Sequence, residues 1–127
     1  MKLREVPIDS LRVTQLFLSR DKIRGVESWL RGKEQLQIPV MRVGGELFCL
    51  DGHTRLFVAR RMGIETCFVF ESPDSLALAG FYALFIRWCD RERVLRVSDL
   101  CRRTVSAERY RKNWELPCRL IREGFPA

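Results

Sequence analysis

Apolar and polar residues alternate from Leu3 to Ile8 and Asp9-Ser10 follows, which predicts a short first strand closed by a turn. Ser19 can cap a helix running from Arg20 to about Arg31. In it Ile23, Val26, Glu27 and Leu30 share one stripe, and Gly32 supplies the stop. Ile38 to Val43 and Glu46 to Leu50 flank Gly44-Gly45, a pair with the backbone freedom that a two-residue hairpin needs. After Asp51-Gly52, residues Leu56, Phe57, Ala59 and Met62 recur at helical spacing within His53 to Met62, and Gly63 ends the helix. Thr66 to Phe70 is β-branched and aromatic, so it reads as a strand. Strand, helix, hairpin, helix, strand is an α+β order, too short for a doubly wound sheet.

The pattern then turns helical. From Ser75 to about Asp90, Leu76, Leu78, Phe81, Leu84, Phe85 and Trp88 lie nearly all round the axis, which predicts a helix enclosed by the domain or by a second subunit. A homodimer is therefore expected. Val94 to Val97 is a connector, Ser98 and Ser106 are candidate caps, and Pro117 should interrupt the last helix. With no low-complexity linker near residue 73, residues 1–72 read as a core and 73–127 as a helical extension packed on the same domain.

At 127 residues, with 46% hydrophobic residues, the chain can bury a core of its own. Its longest apolar stretch, Leu76 to Ile86, falls far short of the roughly 20 residues that span a bilayer, so no membrane partner is expected. The first residues carry charges and no apolar signal region, which gives a cytoplasmic expectation. Cys49, Cys67, Cys89, Cys101 and Cys118 are widely spaced and form no C-x-x-C pair. They read as reduced thiols, and neither a zinc nor a haem site is expected.

The net charge of +7 resides mainly in Arg87 to Arg122, a stretch rich in arginine and interspersed with acids. That segment supports a DNA-associated accessory role as an alternative, although the interspersed acids equally suit internal pairing.

Leu50-Asp51-Gly52-His53-Thr54-Arg55 is the run that carries most chemistry. A glycine between strand and helix turns the chain sharply and leaves the first-turn N–H groups of the helix open to an anion. Arg55, one turn in, can offer a planar fork to the same point, with a hydroxyl from Thr54 and an imidazole from His53. Asp51 has three roles open to it: helix N-cap, ligand to a magnesium ion bridging phosphates, or acceptor from a substrate hydroxyl. His53, the chain's single histidine, would face the positive end of the helix and serve as a neutral hydrogen-bond partner.

Together with Val6-Pro7-Ile8-Asp9-Ser10-Leu11, Ile38-Pro39-Val40 and the strand after Gly63, this run resembles the ParB/sulfiredoxin superfamily over residues 3 to about 71. The resemblance implies a small mixed-sheet nucleotide-binding domain, with Gly52, His53, Thr54 and Arg55 on the phosphates. Sulfiredoxins carry their catalytic Cys where this chain has His53, so that activity is not expected. ParB proteins carry G-E-R-R, of which Gly52 and Arg55 are retained. The loop is most similar to that of free serine kinases, which use a Glu as general base in the region where this chain offers Gln15, and an amide accepts no proton at neutral pH. The reading is binding of a nucleoside phosphate with magnesium through Asp51 to Arg55. A small-molecule kinase is a further alternative, with Asp51 and His53 as its candidate catalytic groups.

Overall fold

Short strands and helices alternate in this α+β fold, a computed structural model that describes residues 2–73 and 77–125. The strands are β1 (Arg4–Pro7), β2 (Leu18–Ser19), β3 (Gln37–Val43), β4 (Glu46–Cys49), β5 (Thr66–Glu71) and β6 (Thr104–Val105). The helices are α1 (Arg20–Glu27), α2 (His53–Arg61), α3 (Ala79–Glu92) and α4, which starts at Ala107–Tyr110 and continues through a π-helical stretch, Arg111–Glu115, into Leu116–Glu123.

Among the described residues, β1, β5, β3 and β4 form a four-stranded mixed sheet in that order. β3 lies parallel to β5 and antiparallel to β4. Gly44 and Gly45, with φ of 56° and 84°, supply the left-handed turn that keeps the two strands of this hairpin in twist. The far edge of β4 is covered rather than left open, because Arg12 donates to the Leu47 carbonyl and accepts from Cys49 N–H at 2.9 and 2.8 Å. Ile38, Val40, Cys67 and Val69 from the sheet and Leu56, Val58 and Ala59 from α2 are buried in one core.

The C-terminal segment is threaded onto this frame by backbone bonds. Val13 N–H donates to the Leu95 carbonyl at 3.1 Å, and β2 pairs in parallel with β6, Leu18 beside Thr104 and Ser19 beside Val105. Ser19 and Ser106 cap α1 and α4 as expected, their hydroxyls accepting from Lys22 N and Arg109 N at 3.4 and 3.2 Å.

Several expectations need correction. α1 ends at Glu27 instead of Arg31, because Ser28 Oγ donates back to the Gly25 carbonyl at 2.6 Å. Gly32 belongs to the next turn, where Gln35 Oε1 takes the Arg31 and Gly32 N–H groups. Ser98 is no cap: the Asp99 carboxylate accepts from Leu95 and Arg96 N–H, both at 2.9 Å. Pro117 does not break α4. The π-helical stretch just before it widens the spiral where a proline ring would clash with the preceding turn.

α3 begins at Ala79; Ser75 and Leu76, where the sequence placed its start, lie outside the described residues. Nor is it enclosed all round. Phe85 and Cys89 are deeply buried, and Phe85, Trp88 and Trp114 form an aromatic cluster with ring centroids 5.3 to 6.2 Å apart. Its other side, Ala79, Ala83 and Ile86, lines an open groove with Met41 and Val43. Among the described residues no helix is long and apolar enough to cross a membrane.

Candidate functional site

The turn from β4 into α2 is built on Gly52, whose φ of 92° lies in the left-handed region. A Cβ there would meet Arg55 Nη2 at 2.7 Å and Ile38 Cδ1 at 2.8 Å. Glycine is thus required twice, by conformation and by space. The same contact locates the Arg55 guanidinium, folded back over the start of its own helix. Among the described residues no carboxylate pairs with it.

Gly52 is the N-cap and no side chain caps α2, so its first-turn N–H groups remain open. Asp51 does not fill this role. Its Oδ1 accepts the N–H of the adjacent Gly52 at 2.9 Å, which removes helix capping from the three roles its position left open. The carboxylate is exposed and keeps its other oxygen free for a cation or hydroxyl.

His53 is 2% exposed. Its Nε2 accepts the backbone N–H of Thr14 at 3.0 Å, and this bond puts the ring proton on Nδ1. That Nδ1 is buried with no hydrogen-bond partner. Burial pushes the imidazole pKa down to about 4, against a smaller upward pull from the Asp51 charge, so the ring is neutral at ordinary pH. Burial, rather than the helix end, is the main cause of this lowering.

These groups line one side of an open cleft of about 480 Å³ that also takes in Gln15 and Thr54. The rest of its lining comes from elsewhere in the chain: Lys22, Gly25 and Val26 of α1, Trp29 just beyond it, and Tyr110 of α4. Lys22 lies over the Tyr110 ring at 4.7 Å and within 3.9 Å of Glu115. Gln15 Nε2 donates to the Phe17 carbonyl at 2.8 Å and to the Tyr110 hydroxyl at 3.0 Å. Its amide is therefore a structural donor in this arrangement.

The structure brings Gln15, Asp51, Gly52, His53, Thr54 and Arg55 together, and adds a wall that the sequence reading missed. Lys22 and Trp29 carried a signal only in hindsight, as a cation and an aromatic on a short polar helix and its closing turn. Tyr110 carried none, because its place depends on β6 finding β2. Cys49 sits beside the loop but is buried. Its thiol donates to the Asp51 carbonyl at 3.1 Å, and burial pushes its pKa upward, so it is no nucleophile.

Away from the cleft, part of the basic C-terminal segment is paired internally: Arg96 with Glu46 and Arg103 with Glu92, each at 3.1 Å, and Lys112 with Glu108 at 3.2 Å. No group of three or more metal-ligating side chains occurs among the described residues.

No protein-family model and no curated protein matches the chain. Among solved structures it is distantly similar in fold to protein Atu1540 from Agrobacterium tumefaciens, with 18% identity and a TM-score of 0.46. The similarity covers 73% of this chain and 49% of that one, so the chain spans about half the length of the Agrobacterium protein.

Proposed function

We propose that the cleft binds a nucleoside phosphate, its phosphates resting on the first turn of α2 and the Arg55 guanidinium. One observation carries this reading: His53, whose buried Nδ1–H is fixed by Thr14 and lacks an acceptor, is among the residues that line the same cleft as an uncapped helix N-terminus and an unpaired arginine. Leaving a buried donor unsatisfied costs about 1–3 kcal/mol. A ligand oxygen would relieve that cost, and the positive end of the helix favours that oxygen being anionic. The resemblance of residues 3–71 to ParB/sulfiredoxin-like domains supports the same assignment.

Magnesium fits as a companion of the ligand and not as a resident ion. Asp51 is the only carboxylate among the residues that line the cleft, and one carboxylate plus substrate phosphates is a usual magnesium environment. Asp51 would hold the ion, which would supply charge neutralisation between phosphate oxygens. Phosphoryl transfer would further need a general base, and Gln15 provides none.

The test is titration calorimetry with magnesium ATP, CTP and GTP against wild type and Arg55→Ala. Micromolar to millimolar binding of at least one nucleotide, weakened in Arg55→Ala, is expected. Failure of wild type to bind any of them removes the reading.

A further inference from the structure

Of the three tryptophans, Trp88 and Trp114 are committed to ring contacts in the aromatic cluster, whereas Trp29 is 44% exposed and lines the cleft. Among the described residues no ring or cation lies against its indole. The residue is held by its backbone, with its N–H on the Val26 carbonyl at 3.1 Å and its carbonyl accepting from Gln35 Nε2 at 3.3 Å. An aromatic with a fixed main chain and an uncovered face is suited to stacking.

Gly25 is the second observation. It sits inside α1, where glycine weakens a helix relative to alanine. Neither usual compensation is present: it has no positive φ, and nothing lies within 4 Å of where a Cβ would be. The residue lines the cleft next to Trp29. Its missing side chain leaves open space along the α1 wall.

A cleft of about 480 Å³ falls in the range of small-molecule sites and is larger than a phosphate group needs. Arg55, His53 and the α2 N-terminus belong to the part of the lining that follows β4, and Trp29 belongs to the part that α1 and the turn beyond it supply, together with Lys22. We propose that Trp29 is the stacking platform for the base of the nucleotide, with the Gly25 gap keeping the slot beside it open. The proposal rests on the phosphate reading and names the residue that distinguishes a nucleotide from a bare polyphosphate. A base stacked on an aromatic side chain is sensitive to alanine substitution because every base presents a π-face.

The experiment is calorimetry of magnesium ATP and magnesium tripolyphosphate against wild type, Trp29→Ala, Trp29→Phe, Gly25→Leu and Arg55→Ala. Wild type is expected to bind ATP more tightly than tripolyphosphate. Trp29→Ala should weaken ATP by about 5- to 100-fold while leaving tripolyphosphate unchanged, which also shows that the variant is folded. Trp29→Phe should recover most of the loss. Gly25→Leu, a change that favours the helix, should weaken ATP selectively by filling the gap. Arg55→Ala should weaken both ligands. Equal wild-type affinities, or ATP binding unchanged by Trp29→Ala, would overturn the platform and leave the phosphate site standing. Loss of both ligands in Trp29→Ala would assign the indole to the fold and overturn it too. No binding of either ligand by wild type would overturn both readings.

Discussion

His53 Nε2 accepts the backbone N–H of Thr14 at 3.0 Å across 39 positions of sequence, deep in the interior. This bond joins the loop after β1 to the first residue of α2. It also decides which ring nitrogen carries the proton, and so what the cleft can offer a ligand.

The burial of this ring gives a pH dependence with a definite sign. Burial lowers the His53 pKa from 6.5 to about 4, so between those values the unfolded chain binds more protons than the folded one. Stability should be level above pH 6.5 and fall as pH drops towards 4, by on the order of 3 kcal/mol in total from this residue. Urea unfolding at stepped pH measures the slope, and His53→Gln should flatten it whatever its own stability. Because the chain has one histidine, its NMR titration is unambiguous, and a midpoint near 6.5 in the folded protein would contradict the buried placement.

Arg55→Ala should weaken nucleotide binding by about 1.5–3 kcal/mol, the range for a charge-assisted contact, without unfolding the protein. Arg60→Ala is the control. Arg60 lies at the other end of α2, exposed and paired with Asp9 at 2.7 Å, so its loss should leave affinity at the wild-type value.

Gly52→Ala should cost about 1–3 kcal/mol of stability, from the positive φ alone. The new methyl group must also displace the Arg55 guanidinium or Ile38. Nucleotide affinity should therefore drop even under conditions where the variant remains folded. Denaturant midpoints and calorimetry measured on one preparation separate the two effects.

Gln15→Glu restores a carboxylate where the resemblance places a general base, but it turns a donor into an acceptor opposite the Phe17 carbonyl. A loss of about 1–2 kcal/mol in stability is expected. Wild type should bind magnesium ATP without phosphorylating free serine, and the variant should gain measurable transfer that Asp51→Asn removes. Phosphoserine formed by wild type would move the base role to Asp51.

Arg12 is a half-buried cation on the other side of the β4 edge. It bonds Glu46 at 3.1 Å and Asp90 through its other terminal nitrogen, and it lies over the Phe48 ring at 4.9 Å. Its acidic partners are about half exposed, so ion pairing contributes modestly and the stem packed on Phe48 carries more. Arg12→Ala should destabilise by about 1–3 kcal/mol, and Arg12→Met by less, in denaturant unfolding.

The hairpin, α2 and its flanking strands were readable in the sequence because each depends on local chemistry: Gly44-Gly45, the apolar spacing of Leu56 to Ala59, the β-branched run after Thr66. Within the site, residues 51 to 55 were readable for the same reason, being consecutive. What could not be read depends on long-range partners. The early end of α1 follows from Ser28 and Gln35 competing for backbone groups. The tautomer of His53 follows from Thr14, and Tyr110 reaches the cleft only through a strand pair more than eighty residues apart in sequence.

That strand pair acts as a common starting line. Because Leu18 and Ser19 run parallel to Thr104 and Val105, α1 and α4 both start just beyond the same strand pair, and their first turns meet through Lys22 and Tyr110. The two helices that wall the cleft are thus aimed by a single joint. A fragment ending before residue 104 would keep every residue of the loop from Asp51 to Arg55 and yet lose Tyr110 and the strand partner that precedes α1. Shortening the protein to its loop-bearing half would therefore turn a cleft into an exposed helix end.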